Sequence, residues 1–197
     1  MRWDSLFDDL EGQLEQELRA DELDQHAEEE RLRIGRLDLR ERLVAVHEGA
    51  AAADERSIRI ILNSGEHVDV NTLSFGRDWF TAQLVGDGRR PAQCVVPLAG
   101  IATLVLTRAQ VELSLAPVAG ESTLAARLTL QFLLRDLCRR RAPLTVRTAL
   151  GDVHGTIDRV GRDHVDLATH ENGRPRRQSA VVDYRTIPLR QVLLLRL

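Results

Sequence analysis

The chain's last line, TIPLRQVLLLRL (186–197), restates an earlier one, VVPLAGIATLVL (95–106). Such a repeat constrains the fold more than any composition does, because each copy must build the same unit and bury the same face. Other anchors fall into step. Gly76-Arg77-Asp78 recurs as Gly161-Arg162-Asp163, Gly88-Arg89 as Gly173-Arg174, Pro97-Leu98 as Pro188-Leu189, and Gly65 as Gly151. The order is kept, and the second copy carries extra residues between its second and third anchors.

Each copy reads as five short strands. SIRIILN (57–63) and PLTVRTA (143–149) are β-branched or Leu-rich segments that stop just before a glycine turn. HVDVNTLSF and VHGTIDRV follow, then DWFTAQLV and DHVDLATH, with apolar and polar residues alternating at period two. GDGR (86–89) and ENGR (171–174) supply Asp-Gly and Asn-Gly, dipeptides that accept positive φ in a hairpin. AQCVVPL and AVVDYRTIPL form a fourth strand ended by Pro97 and Pro188, since proline cannot donate into a ladder. IATLVLT and QVLLLRL form the fifth. Closing five such strands into a small barrel would remove their edges and bury one face of each. The Gly-Arg-Asp turns are expected to place Gly76 and Gly161 at positive φ.

Helical stretches precede each copy. STLAARLTLQFLLRDLCRRR (122–141) offers Ser122 or Thr123 as N-cap, an apolar stripe of Leu124, Leu128, Phe132 or Leu133, and Leu137, and Arg139, Arg140 and Arg141 in its last turn. At the N-terminus, Leu6, Leu10, Leu14 and Leu18 recur every fourth residue. A second stretch, 21–48, carries a weak seam of Leu23, Ala27, Ile34, Leu37 and Val44, with Glu30 and Glu41 at two heptad positions. Ala-rich 48–55 reads as linker, and VELSL (111–115) as an added strand. The expected fold class is therefore α+β, mainly β: an N-terminal helical arm (1–50), a first barrel (51–109), a connecting segment and helix (110–142) and a second barrel (143–197).

A helix followed by a five-stranded closed barrel resembles the Sm-like proteins, which include bacterial Hfq. GDVHGTIDRVGRDHVDLA (151–168) looks like the first Sm motif and IPLRQVLLLRL (187–197) like the second. The whole chain also resembles an uncharacterised actinobacterial family opening with MRWD-like segments. The resemblance implies two tandem Sm-like barrels. It does not extend to the uracil-binding signature: Gly76 and Gly161 stand at the Asp position, and Phe80 and Val165 near the Asn position. Leu98-Ala99 and Leu189-Arg190 replace the Lys-His pair.

Composition narrows the function. A net charge of −3 gives no global basic field, and the cations are all Arg. The basic clusters lie in the second half: Arg139–Arg141, then Arg174, Arg176 and Arg177, then Arg185 and Arg190. With Tyr184 nearby these form the candidate nucleic-acid-binding set, able to hold phosphates and stack one base. No phosphate loop, nucleophile elbow or HExxH motif is present, so no enzyme is expected. His164, Asp166, His170 and Glu171 crowd one strand, but ligands spaced along a single strand suit a tetrahedral metal poorly. They read as solvated, and neither metal nor cofactor is expected. Cys94 and Cys138 fit no ligand spacing and read as buried thiols of a reducing compartment. The opening residues are acidic, not a basic leader, and no apolar run reaches membrane-spanning length, so the expected location is cytoplasmic with no membrane partner.

The functional expectation is a non-enzymatic Sm-like regulatory protein that binds RNA or another nucleic acid through its Arg-rich second half. The alternative is a protein-interaction scaffold whose partner docks on the N-terminal helices. The unbroken apolar run VLLL (192–195) needs cover on both faces, which implies a homo-oligomer or a tightly packed barrel pair.

Overall fold

A computed structural model describes residues 3–52, 54–86, 92–117, 124–171 and 181–197. The chain divides into two compact units, one ending at Asp38 and one spanning Leu39–Leu197. The first is a single long helix, α1 (Trp3–Arg36), laced by Glu30–Arg33 and Glu28–Arg31 pairs one turn apart. The helix of the second stretch breaks at residues 37–38, and its remainder, α2 (Leu39–Gly49), belongs to the second unit.

Among the described residues that second unit is α+β: three α-helices and one antiparallel sheet of ten strands. The strands are β1 (Ser57–Leu62), β2 (His67–Phe75), β3 (Trp79–Leu84), β4 (Gln93–Pro97), β5 (Ile101–Val105), β6 (Pro143–Thr148), β7 (Gly151–Val160), β8 (His164–Thr169), β9 (Tyr184–Pro188) and β10 (Leu194–Arg196). Their order is β5-β1-β2-β3-β4-β10-β6-β7-β8-β9. The two halves thus share one internal order, fifth-first-second-third-fourth. The repeat extends to detail: the β2–β3 register slips between Thr72 and Ser74, and the β7–β8 register between the equivalent Ile157 and Arg159. A bulge at one place in each copy bends both long second strands alike.

The two barrels expected from the sequence do not close through their own ladders. Within each half the fifth strand pairs with the first, and the fourth never reaches the fifth of the same half. Instead β4 takes β10 as its neighbour, with Leu195 opposite Val95 and Arg196 opposite Cys94. The ladder groups of β4 are satisfied by the other half, so the ten strands run on as one sheet.

The apolar side chains follow this junction. Leu43, Val46, Ile58, Ile60, Leu62, Val70 and Phe80 form the first core, and Leu193 and Leu194 of the second half complete it. Leu134, Leu137, Leu144, Val146, Ile157, Val165 and Leu167 form the second core, to which the first half lends Trp79 and Val95. Residues Val192 through Leu195 are all buried, so the VLLL run is covered on both faces within one chain. Trp79 and Phe80 divide two roles: successive strand residues face opposite ways, so Phe80 fills its own core and Trp79 anchors the other. Across the same junction Arg147 donates to Glu66 at 2.6 Å, and within its own half it donates to Asp152 at 2.9 Å.

Helix α3 (Arg108–Leu115) lies where the sequence suggested a strand at VELSL. The Thr107 hydroxyl accepts from the Gln110 N–H and the Gln110 side chain accepts from the Thr107 N–H, a reciprocal cap that starts a helix. Gln110 also donates to the carbonyls of Glu55 and Ser57, tying α3 to the entry of β1. Helix α4 spans Leu130–Arg140 and begins later than expected, because Thr129 is its cap and Ala125–Arg127 form a separate short turn. Its buried stripe is Leu130, Leu134 and Leu137, whereas Leu124 and Phe132 are exposed. Ser122, Thr123 and both proposed hairpin tips, GDGR and ENGR, lie partly or wholly outside the described residues.

Gly76 and Gly161 do not take positive φ; among the described glycines Gly65, Gly86 and Gly151 do. Their need for glycine is steric. A Cβ on Gly76 would stand 2.3 Å from the Trp79 ring and 2.9 Å from the Leu128 carbonyl oxygen, and one on Gly161 would stand 2.4 Å from the His164 ring. Each turn is closed the same way, by Gly76 N–H to Trp79 C=O and Gly161 N–H to His164 C=O, both at 2.8 Å. Since Trp79 is buried and His164 is half-exposed, Gly76→Ala should destabilise by about 1–3 kcal/mol and Gly161→Ala by clearly less, read from urea denaturation midpoints.

The shared strand makes a second expectation. Truncating Leu194 removes a side chain from the first core while the residue sits in the second half's ladder. Leu194→Ala should cost about 2–5 kcal/mol, and both halves should lose stability together in one transition when followed by a first-half and a second-half probe.

Candidate functional site

Among the described strands, the first half's fourth strand, β4, has a neighbour on both sides, and the second half's fourth strand, β9, has one on one side. Strand β9 is one of the two terminal strands of the sheet, β5 being the other. A cavity of about 430 Å³ flanks β9, lined by Thr148, Leu150, Gly151, Asp152, Val153, Arg185, Thr186, Ile187, Pro188 and Gln191. A second, of about 380 Å³, is lined by Asp163, His164, Thr186, Pro188, Leu189 and Arg190. Thr186 and Pro188 border both. Leu150, at the tip of the β6–β7 hairpin, is 98% exposed, a large apolar side chain left at the rim of the first cavity.

The repeat locates the corresponding places in the first half. Cys94, Val96, Leu62 and Val68 stand where Arg185, Ile187, Thr148 and Val153 stand in the second, and there the space is occupied by Leu193 and Leu194. Gly100 allows that occupation: a Cβ on it would come within 3.0 Å of the Leu193 backbone. On the other side Val95 and Trp79 match Thr186 and His164, and are covered by Leu130, Leu134 and Leu195 in the second core. Trp79 Nε1 donates to the Leu128 carbonyl at 3.0 Å, and Asp78 Oδ1 accepts from the Leu130 N–H at 2.7 Å, which clamps the start of α4 onto the first half.

The residues singled out from the sequence divide among several elements. Tyr184, 60% exposed, and Arg185 lie on β9, and Arg190 lies on the short turn after it. Arg139 and Arg140 sit at the end of α4, where both pair with Asp136, the latter at 2.6 Å. Arg141 is the residue that ends α4, in the left-handed region at φ 50°, with its N–H on the Cys138 and Leu137 carbonyls. Arg185 pairs with Asp183 at 3.3 Å. Arg174, Arg176 and Arg177 lie outside the described residues. Of the nine candidates, then, the fold brings Tyr184, Arg185 and Arg190 to β9 and its turn, and leaves the α4 arginines on another element.

Of the four residues expected to be solvated, His164 and Asp166 on β8 are half-exposed, Glu171 is exposed, and His170, just past β8, is buried. His164 Nδ1 bonds Asp163 at 2.9 Å, and Asp166 accepts from the Thr186 hydroxyl at 2.7 Å. His170 is buried and bonds the Thr156 hydroxyl at 2.9 Å, while its ring meets His154 edge-on with centroids 5.2 Å apart. His154 in turn shares a hydrogen bond of 3.0 Å with Thr145, and its Nε2 is buried without a partner among the described residues. No three His, Cys, Asp or Glu side chains gather at one point among the described residues. Cys94 lies in the first core, where burial pushes its thiol up to about 11; Cys138 is half-buried, its Sγ donating to the Asp158 carbonyl. No helix among the described residues is long and apolar enough to cross a membrane.

His154 and His47 make the fold sensitive to acid. Burial first, then the neighbouring His170, lowers the His154 imidazole below its ordinary value of 6.5. Burial first, then Arg56, does the same to His47, which bonds the Thr72 hydroxyl at 2.9 Å. A histidine so lowered binds its proton less readily when folded than when unfolded, so stability is full above 6.5 and declines as pH falls below it. The carboxylates act in a separate and lower window. Asp152, held down by Arg147, and Asp183, held down by Thr169 and then Arg185, contribute stability above the ordinary value of 3.8 that is lost as pH falls below it. The urea midpoint should therefore drop between pH 7 and pH 5, and His154→Gln should drop less over that interval.

No protein-family model matches the chain, and neither a curated protein nor a solved structure matches it.

Proposed function

We propose that the chain is a non-enzymatic adaptor built from two Sm-like halves, and that it acts by accepting a protein segment along its open edge strand. The observation that carries this reading is the contrast between β4 and β9: equivalent strands, one seated against β10 and α4, the other bordered by two cavities. Strand addition at a sheet edge supplies main-chain hydrogen bonds for affinity and pockets for alternate side chains. The Sm-like assignment is supported by the helix before each half, the shared strand order and the matching bulges and Gly-Arg-Asp turns.

A second reading, regulatory RNA binding by the second half, draws on exposed Tyr184 beside Arg185, with Arg190 on the next turn. Against it, Arg139, Arg140 and Arg185 each have a carboxylate partner inside the chain, which a phosphate would have to displace.

Salt titration separates the two. A protein that neutralises phosphates loses affinity for mixed-sequence RNA steeply as salt rises. The adaptor reading expects weak RNA binding that is insensitive to replacing Arg139, Arg140, Arg174, Arg176 and Arg177 by Ala. Tight binding at low salt, abolished by those replacements and with a reduced salt slope, would establish the RNA reading instead.

A further inference from the structure

We propose that β9 and the cavity beside the β6–β7 hairpin form a receptor for one extended peptide segment of a partner protein, carrying two adjacent apolar residues followed, two positions after the second, by an acidic one. The inference rests on the adaptor reading and adds to it the place, the direction and the side-chain chemistry of the ligand.

The seat is known from its filled copy. Against β4 the occupant runs antiparallel as Leu193-Leu194-Leu195-Arg196, with Leu195 opposite Val95 and Arg196 opposite Cys94. Leu193 and Leu194 enter the first core, while Leu195 faces the second. Carried onto β9, a peptide residue in the place of Leu195 stands opposite Thr186, and one in the place of Arg196 stands opposite Arg185. Directly opposed residues of an antiparallel pair share a face, so each lining residue selects its partner.

Three substitutions between the copies then define the ligand. Ile187 in place of Val96, with Leu150 exposed at the rim, keeps an apolar pocket for the pair equivalent to Leu193-Leu194. Thr186 in place of Val95, hydrogen-bonded to Asp166, turns the next position from apolar to polar. Arg185 in place of Cys94 turns the last from a position that holds Arg196 into one that repels a cation and favours a carboxylate. Arg185 meets Asp183 only at 3.3–3.4 Å, a geometry with room for a second acceptor.

The chain's own free edge fits this seat poorly. In a second copy, β5 would offer Ala102 and Thr103 where the filled seat has Leu193 and Leu194, and Val105 opposite Arg185. Two small residues leave the apolar pocket unfilled, and Val105 leaves the guanidinium unmatched. A foreign segment of the stated pattern satisfies both.

The test uses the full chain and two labelled synthetic peptides, acetyl-RQVLLTEL-amide and acetyl-RQVLLTRL-amide, followed by fluorescence anisotropy. The Glu peptide should bind about tenfold more tightly than the Arg peptide. Arg185→Glu, a change at an exposed residue, should reverse that preference, and Leu150→Asp should weaken both peptides. Equal binding of the two peptides, or a preference that Arg185→Glu leaves unchanged, puts the peptide elsewhere and overturns the proposal while leaving an adaptor standing. Absence of binding by either peptide overturns it as well. Sedimentation at rising concentration covers the remaining occupant: self-association that the Glu peptide competes away would make a second copy the ligand and the proposal wrong. The RNA titration above is independent of each of these outcomes.

Discussion

The second unit depends on one strand insertion. The last strand of the chain does not finish a barrel of its own; it slots between β4 and β6 and gives side chains to both cores. Three residues in the ladder would be a meagre interface by themselves. Their strength comes from what they bury: Val192 to Leu195 are a continuous apolar run, which ordinary half-exposed strands avoid. A run that is apolar on both faces has a free-energy minimum only where both faces are covered, so burial drives the halves together. Trp79 passing the other way, and Arg147 reaching Glu66, make the exchange reciprocal.

The repeated halves share strand order, bulges and turns and differ in environment. The same bulge, the same Gly-Arg-Asp turn and the same Pro-Leu exit occur twice, down to the Leu98 N–H on the Asp78 carbonyl and the Leu189 N–H on the Asp163 carbonyl. What differs is which side chains line the fourth strand. Val95 and Cys94 meet a neighbour and are apolar; Thr186 and Arg185 do not and are polar, as an edge strand that must stay soluble requires. The copies thus differ along the fourth strand while keeping their turns.

Much of this was legible in the residues. Strand positions, the pairing of anchors and the need to cover VLLL all followed from period-two alternation and from the repeat. So did the helix before the second half, though not its start: Thr129 competed with Ser122 and Thr123 as a cap, and local pattern cannot rank three capping residues. The strand reading of VELSL missed a signal that was present. Thr107-Arg108-Ala109-Gln110 has capping-box spacing, and it outweighs five residues of weak alternation. Gly76 and Gly161 were expected to serve φ; the actual constraint is a ring folded back over each glycine, which no single position announces. The Arg set was readable as a list but not as a charge distribution, since Asp136 and Asp183 lie one turn and two residues away and consume part of it.

The sequence by itself determined the repeated unit, because hydrophobic alternation, glycine turns and proline stops are local and act in each copy alike. It also determined that the final apolar run had to be enclosed. Only the tertiary structure decided what encloses it. Whether β10 pairs within its own half, with the sister half or with another chain is a matter of which fourth strand reaches it first, and all three choices satisfy the same local pattern. β10 pairs with the sister strand β4, which linkage in one chain holds at a higher effective concentration than a strand of another chain. That choice leaves β9 as a terminal strand, with Leu150 exposed beside it, and so places the open face of the protein in its second half.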